Sequence, residues 1–131
     1  MGRFRLGIVI PARNEEKTIK KVVISLKKYG DVLVVDDSSV DKTATVLKKL
    51  KIKFLTNRNN LGYEGSLIKG IKHLLKKKYN YIATFDADGE HDPRFLQNIE
   101  NFKSFDLLIG KRKRLNRVSE HFFSFFVKLL F

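Results

Sequence analysis

Val32-Leu33-Val34-Val35-Asp36-Asp37-Ser38-Ser39-Val40-Asp41-Lys42-Thr43 is a short apolar run that stops on two adjacent carboxylates and crosses a Ser/Asp-rich turn. Beyond the turn, Ala44, Leu47 and Leu50 recur at a spacing of three, as one face of a short helix. A brief continuous apolar run bounded by turn chemistry reads as a strand buried on both faces, and its handover to helical spacing is one β-then-α step. The same step repeats in both directions. Upstream, Leu6 to Ile10 closes on Pro11, and Ile19, Val22, Val23 and Leu26 follow. Downstream, Ile52 to Thr56 precedes Leu67, Ile71, Leu74 and Leu75, and Tyr81 to Phe85 precedes Asp92-Pro93, a helix-start pair followed by Phe95, Leu96, Ile99 and Phe102. Leu107 to Ile109 reads as a short fifth strand. The expectation is an α/β domain over 1–131 with a mainly parallel sheet covered by helices on both faces.

Composition narrows the function classes. The chain has 131 residues, 43% of them hydrophobic, enough for one domain with a real core. It has no cysteine, which excludes disulfide frameworks and thiolate metal sites. The apolar run before Pro11 is too short for a signal peptide, and no stretch approaches the ~20 apolar residues of a membrane span. With 27 Lys+Arg against 14 Asp+Glu the formal charge is +13, which favours anionic partners. Many lysines fall on predicted helices, where they read as solvated faces, whereas Lys111-Arg112-Lys113-Arg114 with Arg117 is denser and lies beside the acidic motifs. No nucleic-acid module is recognisable and carboxylates crowd the same region, so nucleic acid is not an expected partner. The segment His121 to Phe131 is apolar nearly all round, and 116–131 is expected to form an apolar or amphipathic helix, with 118–131 facing a membrane surface or a partner subunit.

In a parallel sheet, whatever follows each strand gathers at one rim, where open α/β sheets bind ligands. Asp86-Ala87-Asp88 follows the fourth strand, and two carboxylates two residues apart at a strand end can aim at one point. Hard oxygen donors so placed suit Mg²⁺ or Mn²⁺ with diphosphate oxygens completing the shell, and Glu90 can add a third oxygen. A polar turn explains a lone Asp-x-Asp equally well. Asp37 can accept hydrogen bonds from a base or ribose. Ser38, Ser39, Asp41 and Asn14 also suit helix capping, which leaves the Asp36-Asp37 pair and Arg13 unexplained. Asn59-Asn60-Leu61-Gly62-Tyr63-Glu64-Gly65 reads either as a ligand-approach loop or as a tight turn. The dinucleotide and P-loop glycine patterns are absent, and His73, His91 and His121 match no zinc spacing.

Four segments in order carry a resemblance: Ile8-Val9-Ile10-Pro11-Ala12-Arg13-Asn14-Glu15-Glu16, Val34 to Thr43, Asn60-Leu61-Gly62-Tyr63, and Asp86-Ala87-Asp88-Gly89-Glu90-His91-Asp92-Pro93. Together they resemble family 2 glycosyltransferases of the GT-A fold, in particular the polyprenyl- and dolichyl-phosphate sugar transferase branch. The resemblance spans roughly residues 6 to 117 and implies a Rossmann-like nucleotide-diphospho-sugar transferase fold, truncated after the donor-binding half. It implies inverting, metal-dependent transfer of a sugar from a nucleotide diphosphate to an acceptor, here a polyprenyl phosphate, at the cytoplasmic face of the membrane. Pro11, Arg13, Glu15, Asp37 and Asp86 are then expected to bind the nucleotide, and Asp86, Asp88 and Glu90 the metal. Asp88 is expected to be catalytic, and Lys111, Arg112 and Arg114 to hold phosphate. Glu64 departs from the family pattern, which favours glycine there. The alternative is a non-catalytic nucleotide-sugar-binding module, or a subunit completed by another chain.

Overall fold

Six strands form one sheet in the order β3-β2-β1-β4-β6-β5 in the computed structural model, which describes residues 3–102, 104, 107–108 and 127–129. The strands are β1 (Leu6–Ala12), β2 (Asp31–Asp36), β3 (Phe54–Thr56), β4 (Tyr81–Thr84), β5 (Leu107–Leu108) and β6 (Val127–Leu129). Three helices alternate with the first four strands: α1 (Ile19–Lys27), α2 (Thr43–Lys49) and α3 (Gly62–Leu75). β1 pairs in parallel with β2 and β4, and β2 with β3. The register sets Ala12 opposite Asp36 and Asp36 opposite Thr56, so three strands end level at one rim.

Side-chain alternation along the strands explains the two layers. Ile8 and Ile10 of β1 face a core completed by Ile19, Val22, Val23 and Leu26 of α1 and Leu47 of α2. Val9 points the other way, into a second cluster with Leu33, Val35 and Leu74 of α3. Every residue of β1 is buried, as expected for a central strand covered on both faces. Burying a Leu, Ile or Val side chain contributes about 1.5–3 kcal/mol, so the four buried positions of α1 hold that helix without help from a side-chain cap at its N-terminus. α3 lies unusually close to the sheet at Gly70, where an added Cβ would collide with Cγ1 of Val9 and lie 3.0 Å from Cγ2 of Val35.

The chain winds outward from β1 through β2 to β3, then crosses back through α3 to β4 on the far side of β1. This reversal makes the gap between the ends of β1 and β4 a topological switch point, where adjacent loops turn to opposite faces and leave a crevice.

Two expectations are corrected. The helix read after Asp92-Pro93 is two separate 3-10 turns, Pro93–Leu96 and Ile99–Phe102. Asp92 caps the first by accepting from the Arg94 N–H, but Gln97 is extended and Asn98 is left-handed (φ 63°), so the apolar spacing does not close into one helix. Within the expected helix 116–131, Val127–Leu129 instead form β6, antiparallel to β4 on one side and to β5 on the other. An apolar run cannot by itself separate a buried helix from a buried strand, and an interior sheet position decided it here. The remainder of 116–131, and Ile109 of the expected fifth strand, lie outside the described residues.

Candidate functional site

The loops after β1 and β2 are tied to each other by reciprocal hydrogen bonds. Asn14 donates its N–H to the Ser39 hydroxyl (2.9 Å), and its side-chain carbonyl accepts from the Val40 N–H (2.9 Å). The Glu15 N–H donates to Thr43 Oγ1 (2.8 Å), the Glu16 N–H to Asp41 (3.1 Å), and the Lys42 N–H to the Glu16 carboxylate (2.8 Å). Asn14 and Ser38 both take left-handed backbone conformations (φ 55° and 52°), which permit the tight crossing. Polar residues that suit capping by type thus brace one loop against the other: Asn14 does not cap α1, and neither α1 nor α2 has a side-chain cap at its N-cap residue. Burial pushes the Asp41 carboxyl up, but the hydroxyl and N–H of Thr43 and the N–H of Glu16 outweigh it and hold the group below its ordinary 3.8.

Asp37 anchors the third loop. Its side chain is 4% exposed and accepts from Asn57 Nδ2 (2.8 Å), the Leu61 N–H (2.8 Å) and the Gly62 N–H (2.9 Å). The last two N–H groups belong to the N-terminal end of α3, which the carboxylate caps from another strand. Gly62 has φ +75°, which lets the chain turn into the helix with its N–H aimed at Asp37. Asn57 is itself buried and is shared with Ser66 (3.0 Å) and Lys69 (2.6 Å). Burial raises the Asp37 carboxyl, but the hydrogen bonds from Asn57, Leu61 and Gly62, with the neighbouring Ser66 hydroxyl, outweigh it, so the group is held below 3.8 and stays ionised.

Asp86 follows β4 and is clamped from two sides. Tyr63 donates its hydroxyl to Oδ1 (2.8 Å), and His91 Nε2 lies 3.2 Å from Oδ2. His91 Nδ1 accepts from the Asp86 N–H (3.2 Å), so the imidazole that meets both contacts carries its proton on Nε2. Burial, the hydrogen bond to Asp86, and the charges of Asp86 and Asp88 together push the Tyr63 phenol above its ordinary 10.0, keeping it a donor. Asp88 is exposed, and its Oδ1 accepts from the Glu90 N–H (2.8 Å) in a turn made possible by Gly89 (φ +80°).

These loops enclose a cleft of about 380 Å³ at the switch point between β1 and β4. Pro11, Arg13, Glu15, Asp37, Asp86 and Asp88 all line it. Arg13 is exposed and has no hydrogen bond or ion pair among the described residues, which leaves its guanidinium available for an anion. Glu90 is exposed and outside the lining, and among the described residues no three His, Cys, Asp or Glu side chains group to hold a metal ion. The expected three-carboxylate set of Asp86, Asp88 and Glu90 is therefore not assembled. Two hard carboxylates at a cleft mouth still fit Mg²⁺ or Mn²⁺, which commonly take one or two carboxylates and fill the shell with phosphate oxygens and water. Lys111, Arg112 and Arg114 lie outside the described residues. Asn60, Gly62, Tyr63 and Ser66 also line the cleft. Of these, Tyr63 carries a signal legible in sequence, an amphipathic ring opening a helix after glycine. His91 carries one as well, as a ring within a turn of the Asp86 it clamps.

Comparison with known proteins agrees with this architecture. The Glycosyl transferase family 2 model matches residues 7–121. Protein MJ1222 of Methanocaldococcus jannaschii is 41% identical over 117 residues, covering 86% of this chain and 48% of its own. UDP-N-acetylglucosamine–dolichyl-phosphate N-acetylglucosaminyltransferase of Methanococcus voltae is 34% identical over 128 residues, covering 80% and 51%. The chain thus spans about half the length of these relatives. Among solved structures, TarS from S. aureus in complex with UDP superposes with a TM-score of 0.69 at 26% identity, covering 90% of this chain and 38% of TarS. Glucosyl-3-phosphoglycerate synthase from Mycobacterium tuberculosis, solved with Mn²⁺, UDP and glucosyl-3-phosphoglycerate, shares the fold with a TM-score of 0.57 at 22% identity, covering 71% and 37%. A parallel α/β sheet wound in this order, with its cleft at the β1/β4 reversal and a family match over most of its length, identifies the chain as a member of glycosyltransferase family 2, with the GT-A fold.

Proposed function

We propose that the cleft binds a nucleotide-diphosphate sugar and that the chain supplies the donor side of an inverting, metal-dependent transfer to a polyprenyl phosphate. The observation that carries this reading is the meeting of Arg13, Asp37, Asp86 and Asp88 in one cleft from three separate strand ends. Arg13, unpaired among the described residues, offers its guanidinium for charge-assisted hydrogen bonds to the diphosphate. Asp37 acts mainly by holding the 57–62 loop and the start of α3 in place beside the nucleotide, since its oxygens already serve three protein donors. Tyr63 and His91 orient Asp86, and Asp86 with the exposed Asp88 would hold Mg²⁺ or Mn²⁺. A divalent ion bound there neutralises the charge that grows on a departing diphosphate.

The acceptor reading rests on chemistry and on relatives. A lipid phosphate is already anionic and needs no general base to attack the anomeric carbon, whereas a hydroxyl would. The Methanococcus voltae relative is named for a dolichyl-phosphate acceptor and a UDP donor, and TarS was solved with UDP. Lys111, Arg112 and Arg114 would steer the acceptor phosphate, with the protein peripheral at the cytoplasmic membrane face. Among the described residues no helix is long and apolar enough to cross a membrane.

Titration calorimetry with UDP- and GDP-sugars, with and without Mn²⁺, tests the proposal. Saturable binding is expected with Mn²⁺, weakened at least about tenfold in Asp88→Ala and Arg13→Gln, since each removes a charged partner of the diphosphate. Absence of heat with every nucleotide sugar, or equal binding by both variants, would refute it.

A further inference from the structure

The edge of the sheet opposite the cleft holds a second cavity, of about 450 Å³, at the amino-terminal ends of the strands. Arg5 enters β1 there, Asp31 begins β2, Lys53 leads into β3 and Tyr79 into β4. Its cations are Arg5, Lys27, Lys51, Lys53 and Lys77, and Asp31 is the one carboxylate among its lining residues. Asp31 is already committed, accepting from Arg5 (3.1 Å) and from the Tyr79 hydroxyl (3.0 Å). The Arg5 guanidinium is further fixed 4.6 Å over the Tyr79 ring. The four lysines have no ion pair among the described residues.

Helix dipoles account for part of this charge. Lys27 and Lys77 sit at the carboxyl ends of α1 and α3, where cations are favoured. They do not account for Lys53, which precedes a strand, lines the same cavity and whose charge lowers the Lys77 pKa. Like charges gathered around one cavity repel each other, and an anion bound between them offsets that repulsion. At the same cavity, His73 Nε2 is buried and has no hydrogen-bond partner among the described residues. Buried polar atoms are ordinarily satisfied, and a ligand or water reaching Nε2 would satisfy this one. Burial, then the charges of Lys53, Lys77 and Lys76, lower the His73 pKa, so the ring can offer Nε2–H as a neutral donor.

We propose that this cavity is a second ligand site, for an anion carrying one or more phosphate groups, gripped by Lys53 and Lys77 with His73 at its floor. The site is remote from the donor cleft, because the strands that end at the cleft begin here. A free diphosphate and an anionic lipid headgroup present the same chemistry, and the two are separable by experiment.

The test uses the full chain in EDTA, which removes divalent ions from the donor cleft. Calorimetry with inorganic pyrophosphate is expected to show saturable binding, weakened about tenfold or more in the double variant Lys53→Gln/Lys77→Gln and unchanged in Arg13→Gln. Both lysines are exposed, so the double variant is expected to melt like the parent, which a thermal scan checks. Proton NMR of the imidazole C–H of His73 adds a site-specific readout: its titration midpoint is expected to rise when pyrophosphate is added, because the anion offsets the neighbouring lysines. Sedimentation with phosphatidylglycerol-containing vesicles, against phosphatidylcholine alone, assigns the source. Retention lost in the double variant identifies a lipid headgroup, and pyrophosphate binding without retention identifies a free phosphate. Pyrophosphate affinity and vesicle retention that are both indifferent to the two lysines would overturn the proposal, as would binding abolished by Arg13→Gln.

Discussion

Replacing Asp37 with alanine is expected to destabilise the protein by about 3 kcal/mol, although the residue lines the cleft rather than the core. The wild-type carboxylate accepts three hydrogen bonds at 2.8–2.9 Å while only 4% exposed. Hydrogen bonds to charged groups contribute about 1.5–3 kcal/mol each, so all three together set an upper bound of about 9 kcal/mol. Much of that is recovered. Leu61 and Gly62 are exposed, so water can reach their N–H groups in the variant, whereas Asn57 is 2% exposed and its Nδ2 donor keeps only the Ser66 hydroxyl. One bond lost outright and two partly replaced give about 3 kcal/mol, a sizeable share of the ~5–15 kcal/mol typical of a whole domain. Urea unfolding followed by circular dichroism measures it, with the midpoint lowered and the slope unchanged. For a chain of this size the melting temperature is expected to fall by roughly 10 °C. Asp37→Asn keeps the volume but turns an amide towards at least one N–H donor, so it is expected to lose nearly as much. A change below about 0.5 kcal/mol in the alanine variant, or an asparagine variant as stable as the parent, would show that the carboxylate does not anchor the loop.

Gly70→Ala is expected to cost about 1–3 kcal/mol by overpacking, because the new Cβ meets Val9 and Val35 of the sheet; equal stability in urea would mean that α3 can lift off it. Stability is expected to fall in acid. The Asp37 and Asp41 carboxyls ionise more readily folded than unfolded, so their contribution is full well above 3.8 and is lost as pH drops through their lowered folded values. Unfolding midpoints measured between pH 6 and pH 2 check the direction, and a midpoint independent of pH below 4 would contradict it. Tyr63→Phe removes the 2.8 Å hydrogen bond that holds Asp86 while leaving the ring in place. The expected result is weaker Mn²⁺-dependent nucleotide-sugar binding, by a few-fold, with stability within about 1 kcal/mol of the parent. Affinity equal to the parent's would remove Tyr63 from the site.

The alternating strand-and-helix plan was legible because its signals are local. The apolar run Val32 to Val35 and the spaced Ile19, Val22, Val23 and Leu26 state their periods within a few residues, and the parallel sheet follows from that alternation. Residue types at the cleft were legible for the same reason: Pro11, Arg13, Glu15, Asp37, Asp86 and Asp88 sit where strands end, and strand ends of a parallel sheet meet at one rim. The break between Pro93–Leu96 and Ile99–Phe102 was not legible, since apolar spacing says nothing of a left-handed Asn98. Nor was the strand Val127–Leu129, whose apolar character suits a helix equally well until β4 and β5 lie on either side.

Residue identity and spacing thus determined by themselves the class of fold, the rim that carries the cleft and the carboxylates gathered there, since each depends on neighbours close in the chain. Tertiary structure alone decided what each polar group does. Asp37 spends its charge on the N–H groups of residues more than twenty positions away, Asn14 braces a loop instead of capping a helix, and Tyr63 and His91 converge on Asp86. A hydrogen bond is satisfied by whichever partner the fold brings within 3 Å or so, and that partner is set by the path of the whole chain.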